Sequence, residues 1–272
     1  MALKSAEKES QQRVRFLTAT SLFDGHDASI NIIRRLLQQA GAEVIHLGHH
    51  RSAKEIVRTA IQEGVHAIAV SSYQGGHIEF FKYIKDLLDE NGVGFIKIFG
   101  GGGGVIVPEE IHELEDYGIT KIYAPEDGQK LGLKGIIQDM VARAAQVDFP
   151  PLPSDWQGQM QGHNNFIISQ LISYAENNHK AGSFPFAQIR EELPALARQT
   201  PVIGITGTGG SGKSSLEDEF IRRFLKRYPD KTIAILAIDP TRRKTGGALL
   251  GDRIRINFLY PDNVFMRSLA TR

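Results

Sequence analysis

At 272 residues the chain is long enough for about two domains, and its 41% hydrophobic and 23% charged content is typical of a protein that buries a core. A formal net charge of +1 provides no overall field that would attract nucleic acid or a membrane surface. The sequence contains no cysteine, which excludes disulfides, thiolate metal sites and thiol catalysis.

The beginning of the chain, residues 1–15, is charged and polar, unlike a secretory signal. No apolar run approaches the roughly 20 residues that a membrane span needs. We therefore expect a cytoplasmic protein without a membrane or nucleic-acid partner.

Short apolar runs alternate with amphipathic stretches from residue 15 to about residue 147. Strict alternation predicts an α/β fold in which a parallel sheet is covered by helices on both faces. The predicted strands are 15–21, 43–47, 67–71, 95–99 and 121–123. The predicted helices are 28–40, 53–63, 77–91, 108–117 and a last one near 129–146.

The ends of these helices carry their own signals. Ser52, with Glu55 three residues later, predicts a capping box. A glycine follows each of the first four helical patterns, where a left-handed residue is favoured, and these glycines are Gly41, Gly64, Gly92 and Gly118.

Five βα units favour the flavodoxin-like strand order 2-1-3-4-5, in which the topological switch point lies between the first and third strands. In such sheets the ligand binds at the carboxyl ends of the strands. Polar or glycine-rich turns follow four of the strands at that edge, and they are 24–26, 71–77, 100–104 and 124–128. We expect the first two of these turns to lie side by side, with the third as the next wall of the same crevice.

The first turn reads Asp24-Gly25-His26. A histidine that ligates a metal usually donates its other ring nitrogen to a carboxylate, which fixes the tautomer and raises the basicity. This spacing alone is common, but the other turns at the same edge favour a ligand site. The five glycines of 100–104 would let backbone approach something flat or bulky, and a flexible loop is the alternative.

These residues resemble the cobalamin-binding domain of the adenosylcobalamin-dependent acyl-CoA mutases across residues 12–147. That family's signature is Asp-x-His-x-x-Gly, then Ser-x-Leu, then Gly-Gly, and here it reads Asp24-Gly-His26-Asp-Ala-Ser29, Ser71-Ser-Tyr73 and Gly103-Gly104. Ser29 replaces the signature's glycine and Tyr73 replaces its leucine. We expect Ser29 to admit a nucleotide tail, with a hydrogen bond, and Tyr73 to alter the wall of the tail slot.

The resemblance implies that His26 is the lower axial ligand of cobalt, in place of the cofactor's own benzimidazole, and that Asp24 holds the imidazole from behind. The displaced tail would pass between the first and third strands, beside Ser71 and Tyr73. The implied cofactor-binding residues are Asp24, Gly25, His26, Ser29, Ser71, Tyr73, Gly103, Gly104 and Ala124.

Other histidines are weaker candidates. His46, His49 and His50 cluster after the second strand and could indicate a metal, but no carboxylate is near, so a solvated turn is favoured. His112 and His179 lie in helical patterns and are expected on the surface.

A proline-rich stretch, 149–154, ends the first domain because proline cannot continue a helix. Two helices are predicted at 164–182 and 186–199, and their apolar positions favour packing against a neighbouring domain. The predicted domains are therefore 12–147, a linker over 148–200, and a second domain over 201–272.

The second domain opens with a predicted buried strand at 202–206, followed by a complete Gly-x4-Gly-Lys-Ser phosphate loop and a helical pattern. Backbone N–H groups and a helix N-terminus cradle phosphates in such loops. Lys213 would reach the β- and γ-phosphate oxygens, and the Ser214 hydroxyl would reach Mg²⁺. The predicted nucleotide-binding residues here are Gly209, Gly210, Ser211, Gly212, Lys213, Ser214 and Ser215.

A further strand at 232–238 ends at Asp239, which is well placed to hold Mg²⁺. This whole run resembles the G-protein chaperones that guard cobalamin mutases. The resemblance implies Mg²⁺ contacts for Asp239 and Asp252 and a phosphate contact for Arg255, whereas a loop cap and solvent-facing arginines are the alternative. The stretch contains neither an Asp-x-x-Gly switch nor an Asn-Lys-x-Asp guanine motif, so it does not distinguish guanine from adenine.

The order of these domains is similar to that of the fused acyl-CoA mutases, in which a substrate-binding barrel comes last, and we expect this chain to be the front of such a polypeptide. The implied cofactors are adenosylcobalamin, Mg²⁺ and GTP. The implied partners are an acyl-CoA held by the barrel, a second copy in a homodimer, and an adenosyltransferase that delivers the cofactor.

The implied reaction is the radical rearrangement of isobutyryl-CoA to n-butyryl-CoA, and a methylmalonyl-CoA-type substrate is the nearest alternative. A cobalamin-delivery or sensing GTPase without mutase activity is a different class that stays open. A receiver-like ATPase without a corrin is disfavoured, because the third strand ends Val70-Ser71-Ser72 without the phosphorylatable aspartate that a receiver needs.

Overall fold

The computed structural model describes residues 13–178, 200–239, 247–259 and 261–271. Its strands are β1 Arg15–Thr20, β2 Glu43–Gly48, β3 Ala67–Ser71, β4 Lys97–Gly101, β5 Lys121–Tyr123, β6 Ile233–Asp239, β7 Ala248–Leu250 and β8 Val264–Ala270. Its helices are α1 Ala28–Gln39, α2 Ala53–Glu63, α3 His77–Glu90, α4 Pro108–Asp116, α5 Pro125–Ala144, α6 Trp156–Gln161, α7 Asn165–Asn178 and α8 Lys213–Arg227.

The main sheet is parallel and has the order β5-β4-β3-β1-β2-β7. Helices α2, α3 and α4 bury their apolar residues against one face, and α1 and α5 cover the other. The predicted order 2-1-3-4-5 is therefore confirmed, and the switch point lies between β1 and β3, as expected.

The helix-end signals are confirmed at α2. The Ser52 hydroxyl accepts a hydrogen bond from the Glu55 backbone, and the Glu55 side chain accepts one from the Ser52 backbone. Gly64 ends the helix in the left-handed region at φ 54°. Gly64 also lies close to β8, because a Cβ on this glycine would be 2.7 Å from Arg267 Nη1.

Two elements differ in position from the prediction. The fourth strand is Lys97–Gly101, because Phe95 packs outside the sheet on Phe149 and Phe166 while Gly101 continues the ladder by accepting from the Ser72 N–H. The last helix of the first domain begins at Pro125, which is well suited to a first helical position, and it is interrupted at Gly132.

The prediction of a strand at 202–206 is wrong. These residues form no strand, and Val202 and Ile203 are 93% and 69% exposed. A parallel strand needs a neighbour to satisfy its backbone groups, and β6 takes β8 as its partner in a separate two-stranded sheet. An apolar run without such a neighbour stays unpaired.

The linker packs on the first domain, which agrees with the expectation from its apolar positions. Ile167 and Leu171 of α7 form a small core with Trp156 of α6, and Phe166 contacts Phe95. Helix α6 was not predicted, and α7 packs against α2. The predicted helix 186–199 and His179 lie outside the described residues.

The sequence did not predict β7 or β8. Strand β7 follows the phosphate loop in the chain but pairs with β2 in the main sheet, through Glu43↔Ala248, Val44↔Leu249 and Ile45↔Leu250. The predicted domain boundaries stay predictions, and β7 crosses them. Within the described ranges, no helix has the length and apolarity needed to cross a bilayer.

Candidate corrinoid and nucleotide sites

Asp24 organises the turn after β1. It is fully buried, and its Oδ1 accepts hydrogen bonds from the His26 backbone N–H at 2.9 Å and from the His26 ring Nδ1 at 2.8 Å. Its Oδ2 accepts from the Tyr73 backbone N–H at 2.6 Å. One carboxylate therefore ties the turn after β1 to the turn after β3, across the switch point.

The hydrogen bonds to Asp24 keep it ionised. Burial alone would raise the pKa of Asp24, but the backbone N–H groups of Tyr73 and His26 and the His26 ring hold this pKa below its usual value. A carboxylate that accepts from Nδ1–H fixes the imidazole in the tautomer whose Nε2 carries the lone pair. The His26 side chain is 66% exposed. The arrangement supplies an oriented imidazole with a basic nitrogen available to a metal.

The turn after β3 is held by serines. Ser21 Oγ donates to Ser72 Oγ at 2.9 Å, and the Ser72 N–H donates to the Gly101 carbonyl at 2.9 Å. Ser71 Oγ is buried and has no hydrogen-bond partner among the described residues. A buried hydroxyl without a partner is costly, so Ser71 presents an unfilled polar position at the switch point.

Tyr73 connects three parts of the site. Its ring centroid lies 5.8 Å from that of His26, and its hydroxyl is 2.6 Å from the Ser29 hydroxyl in the first turn of α1. Gly103 lies against the same ring, since a Cβ built there would be 3.1 Å from Tyr73 Cε1. The structure therefore brings together His26, Ser29, Tyr73 and Gly103.

The glycine run 100–104 serves mainly the packing of the protein itself. Gly100 and Gly101 lie within β4, and a Cβ on Gly102 would come 1.9 Å from the Ser72 carbonyl oxygen. Gly104 has open space around its Cβ position. At Gly102 the group that approaches the backbone is therefore the loop after β3. The predicted approach to a flat or bulky group stays a prediction.

Two other predicted residues lie at the same edge. Gly25 is exposed between Asp24 and His26, with open space at its Cβ position. Ala124 precedes α5 at the carboxyl end of β5, and β4 separates this strand from β3.

Sequence reasoning missed two features of this edge. Phe23 has φ 64° and is 74% exposed, an uncommon backbone conformation for a bulky residue directly before Asp24. His77 is buried, and its Nε2 lies 2.9 Å from Glu110 Oε2, which connects the end of the second turn, 71–77, to α4. Glu110 is the third residue of α4, a position from which glutamate commonly accepts the N–H of the residue before the helix, here Val107. This pattern could have indicated the contact with Val107 but not the contact with His77.

The other histidine cluster divides in two. His46 lies within β2, where it is buried and its Nδ1 lies 2.9 Å from Thr18 Oγ1. The expectation that His46 belongs to the solvated turn after this strand is therefore wrong. His49 and His50 are exposed and contact each other edge to face. Over the described ranges, no group of three or more histidine and acidic side chains is arranged to hold a metal ion.

The phosphate loop has the predicted setting before a helix. Gly212, at φ 86°, precedes α8, which begins at Lys213. Lys213 Nζ donates to the carbonyls of Gly207 and Thr208, at 2.9 Å each. The loop therefore curls around the lysine ammonium. Ser214 is half-buried and Ser215 exposed in the first turn of the helix.

The remaining nucleotide-site predictions lie beyond this loop. Asp239 is the last residue of β6, and its carbonyl accepts from the Thr271 N–H. Asp252 begins a short 3-10 turn and Arg255, at its end, is exposed. The side chain of Asp252 lies outside what the structure describes.

A buried ionic cluster joins the two halves of the chain, and sequence reasoning missed it. Glu63 of α2 accepts from Arg15 at 3.1 Å, from Arg253 at 3.0 Å and from the Ser268 N–H at 2.9 Å. The further members are Glu43, which accepts from Arg15 at 2.7 Å, and Arg267, which donates to Glu176 of α7 at 2.9 Å. Three arginines thus face three glutamates, and no periodicity in the sequence indicates such a grouping.

Burial, and then the charge of Arg15, lower the pKa of Arg267 to about 10, so this arginine remains charged near neutral pH. Because its head group is fully buried, it depends on Glu176 and Ser173 for compensation. The cluster is therefore a structural connection between β8, the linker helix and the first domain.

Two family models match the chain. One is a B12 binding domain over residues 14–128, and the other is the methylmalonyl-CoA mutase-associated GTPase MeaB over residues 168–272. Together with the flavodoxin-like sheet and the phosphate loop, they define a cobalamin-binding domain followed by a GTPase of the mutase-associated type.

Similar curated proteins extend over nearly the whole chain. A fused isobutyryl-CoA mutase of Geobacillus kaustophilus is 57% identical over 269 residues, and one of Cupriavidus metallidurans is 56% identical over 261 residues, each covering 96% of this chain. The 2-hydroxyisobutanoyl-CoA mutase small subunit of Aquincola tertiaricarbonis is 33% identical over 136 residues, which are 50% of this chain and 98% of that subunit. The chain belongs to the fused isobutyryl-CoA mutase family, and it spans 24% of the length of the two fused relatives.

These matches confirm the predicted fold class and the predicted cofactor classes, a corrinoid for the first domain and a guanine nucleotide with Mg²⁺ for the second. The individual site residues remain predictions.

Proposed function

We propose that the first domain binds adenosylcobalamin with His26 as the lower axial ligand of cobalt. The observation that carries this proposal is the Asp24–His26 hydrogen bond at 2.8 Å, at the carboxyl edge of β1, next to the switch point. Asp24 fixes the tautomer of the ring, and the exposed imidazole offers Nε2 to the metal.

The residues present fit the cofactor. The unpartnered Ser71 hydroxyl at the switch point matches a nucleotide tail that carries hydrogen-bonding groups. Gly25 and Gly104 leave open space at the same edge, where a flat macrocycle could rest. Ala124 belongs to the outer part of this edge in the proposal.

The proposed activity of the whole protein is a radical carbon-skeleton rearrangement that exchanges isobutyryl-CoA and n-butyryl-CoA. The bound cofactor supplies the radical chemistry through its cobalt–carbon bond, whereas the residues of this chain bind, orient and shield it. The names of the fused relatives favour this substrate over a methylmalonyl-CoA-type substrate and over a delivery protein without mutase activity.

Corrinoid titration of the full-length protein, followed by absorbance, tests the site. We expect His26→Ala to weaken cobalamin binding roughly tenfold or more, because the ligand to the metal is lost. His112→Ala, an exposed histidine on α4, is the matched control and should bind like the wild type. Equal affinity in the His26→Ala and control variants would reject His26 as the ligand.

The second domain is proposed to hydrolyse GTP and so to control cofactor loading. In this proposal Lys213 and Arg255 contact the phosphates. Mg²⁺ is held by Ser214, Asp239 and Asp252. In full-length protein, Lys213→Ala should suppress hydrolysis because charge at the γ-phosphate is no longer neutralised. ATP turnover equal to GTP turnover would contradict the guanine preference.

The partners are also part of the proposal. We propose a carboxyl-terminal barrel that holds the acyl-CoA, a homodimer, and cofactor delivery by an adenosyltransferase. A cytoplasmic location stays a prediction.

A further inference from the structure

The departures from the cobalamin signature, Ser29 and Tyr73, meet in space. They are 44 positions apart in the chain, yet their hydroxyl oxygens lie 2.6 Å apart, and both side chains are half-buried. Ser29 belongs to the first turn of α1, which follows β1, and Tyr73 belongs to the loop after β3. Their hydrogen bond therefore spans the crevice between the two strands at the switch point.

The rest of Tyr73 is fixed on three sides. Its backbone N–H donates to Asp24, and its ring is tilted by 46° to the His26 ring with the centroids 5.8 Å apart. Gly103 lies close to ring atom Cε1, because a Cβ built on this glycine would be 3.1 Å from it. The backbone of Tyr73 is thus anchored, and rotation of its side chain is the motion that would open the crevice.

We propose that the Ser29–Tyr73 hydrogen bond closes this crevice, and that its opening limits the rate at which a corrinoid with a nucleotide tail binds. This inference rests on the proposed cobalamin site. In this proposal Ser29 and Tyr73 control how the nucleotide tail of the cofactor enters the crevice, whereas His26, oriented by Asp24, binds the cobalt.

The proposal predicts a distinction between two ligands. Cobalamin carries the nucleotide tail, and cobinamide has the same corrin ring without it. If the hydrogen bond closes the crevice against the tail alone, its removal changes the binding of cobalamin and leaves the binding of cobinamide unaltered.

Stopped-flow absorbance with the full-length protein measures both association rates. Tyr73→Phe keeps the ring and removes the hydroxyl, and Ser29→Ala removes the partner hydroxyl. We expect each variant to bind cobalamin about threefold to tenfold faster, which corresponds to the net contribution of one hydrogen bond. The double variant should be no faster than the single variants, because all three lose the same bond. Tyr83→Phe, an exposed tyrosine on α3, is the matched control.

Several outcomes would overturn the proposal. Unchanged or slower cobalamin binding in Tyr73→Phe and Ser29→Ala would show that the bond does not restrict entry. An equal acceleration for cobinamide would mean that the variants loosen the whole edge. Additive effects in the double variant would show that the two hydroxyls act separately.

The parallel measurement on His26→Ala separates failure of this inference from failure of the proposed function. Loss of cobalamin affinity in His26→Ala with no rate change in Tyr73→Phe leaves the cobalamin site intact and rejects the closure. Wild-type affinity in His26→Ala rejects the axial ligand itself, and the closure is rejected with it.

Discussion

Asp24 determines the geometry of the candidate corrinoid site, because its two oxygens accept from both sides of the switch point. Oδ1 holds the backbone and ring of His26, and Oδ2 holds the backbone of Tyr73. The side chain is fully buried, so each of these donors would lose its partner without it. Affinity for the metal and stability of the turn are expected to depend on the same carboxylate.

Asp24→Asn tests this dependence. The amide has one oxygen instead of two, so an NH₂ group would face an N–H donor of Tyr73 or His26. We expect cobalamin affinity to fall roughly 10- to 100-fold, as for other residues that orient a metal ligand. Asp27→Asn is the matched control, because Asp27 is exposed and contacts Asn31. Absorbance titration measures both variants, and equal affinities would show that Asp24 does not orient the ligand.

At the scale of elements, the first domain was largely predictable because its helices and strands carry local signals. The bounds of α2, β3 and β5 agree with the prediction, and the Ser52–Glu55 capping box is confirmed. Pairing was less predictable. The run 202–206 has the composition of a strand but no neighbour, and β7 joins β2 from a distant part of the chain. Such outcomes depend on tertiary partners that no local pattern specifies.

The same limit applies within the site. The Asp24–His26 pair and the phosphate loop could be predicted from residue spacing, because each is formed by residues that are close together in the chain. The Ser29–Tyr73 contact joins residues 44 apart, and the Glu63–Ser268 contact joins residues 205 apart. Both depend on how the elements pack.

Two buried histidines in the main sheet region predict a pH dependence of its stability. Burial, and then nearby arginines, lower the pKa of His66 to about 4, and burial followed by Arg34 does the same for His46. Both are therefore neutral in the folded state and protonated more readily when unfolded. The free energy of unfolding should fall as the pH drops from about 6.5 towards 4, by about 3 kcal/mol at most for each histidine.

His66→Asn tests this effect. His66 Nδ1 accepts from the Arg15 backbone N–H at 3.1 Å, and the asparagine oxygen can replace that acceptor without titrating. Urea unfolding at pH 7 and at pH 5 should show a smaller difference between the two pH values in the variant than in the wild type. The same pH difference in both proteins would contradict the assignment of His66.

On the scale of the whole molecule, the ionic cluster around Glu63 connects the cobalamin domain, the linker and the P-loop part. Arg15 comes from β1, Glu176 from the linker helix α7, and Arg253 from the segment after β7. A buried pair is destabilised strongly when one partner is removed, by about 3–5 kcal/mol. The relative placement of these parts is therefore held by charge pairing as well as by apolar packing.

This connection predicts that the two sites are energetically coupled. In full-length protein, a non-hydrolysable GTP analogue should shift cobalamin affinity, commonly about 5- to 150-fold, and cobalamin should shift nucleotide affinity by the same factor. Titration calorimetry in both orders measures this. Glu176→Gln weakens the connection at the linker and should reduce the factor while leaving each separate affinity unchanged. Identical affinities with and without the second ligand would mean that the fusion provides proximity alone.

The nitrogen that binds the lower face of cobalt shows whether His26 is the axial ligand. Electron paramagnetic resonance of the full-length protein with cob(II)alamin reports the nitrogen bound to cobalt through its hyperfine splitting. We expect that labelling the protein's histidines with ¹⁵N changes this splitting, and that His26→Ala abolishes the change. A splitting that instead follows ¹⁵N in the benzimidazole of the cofactor would reject His26 as the axial ligand.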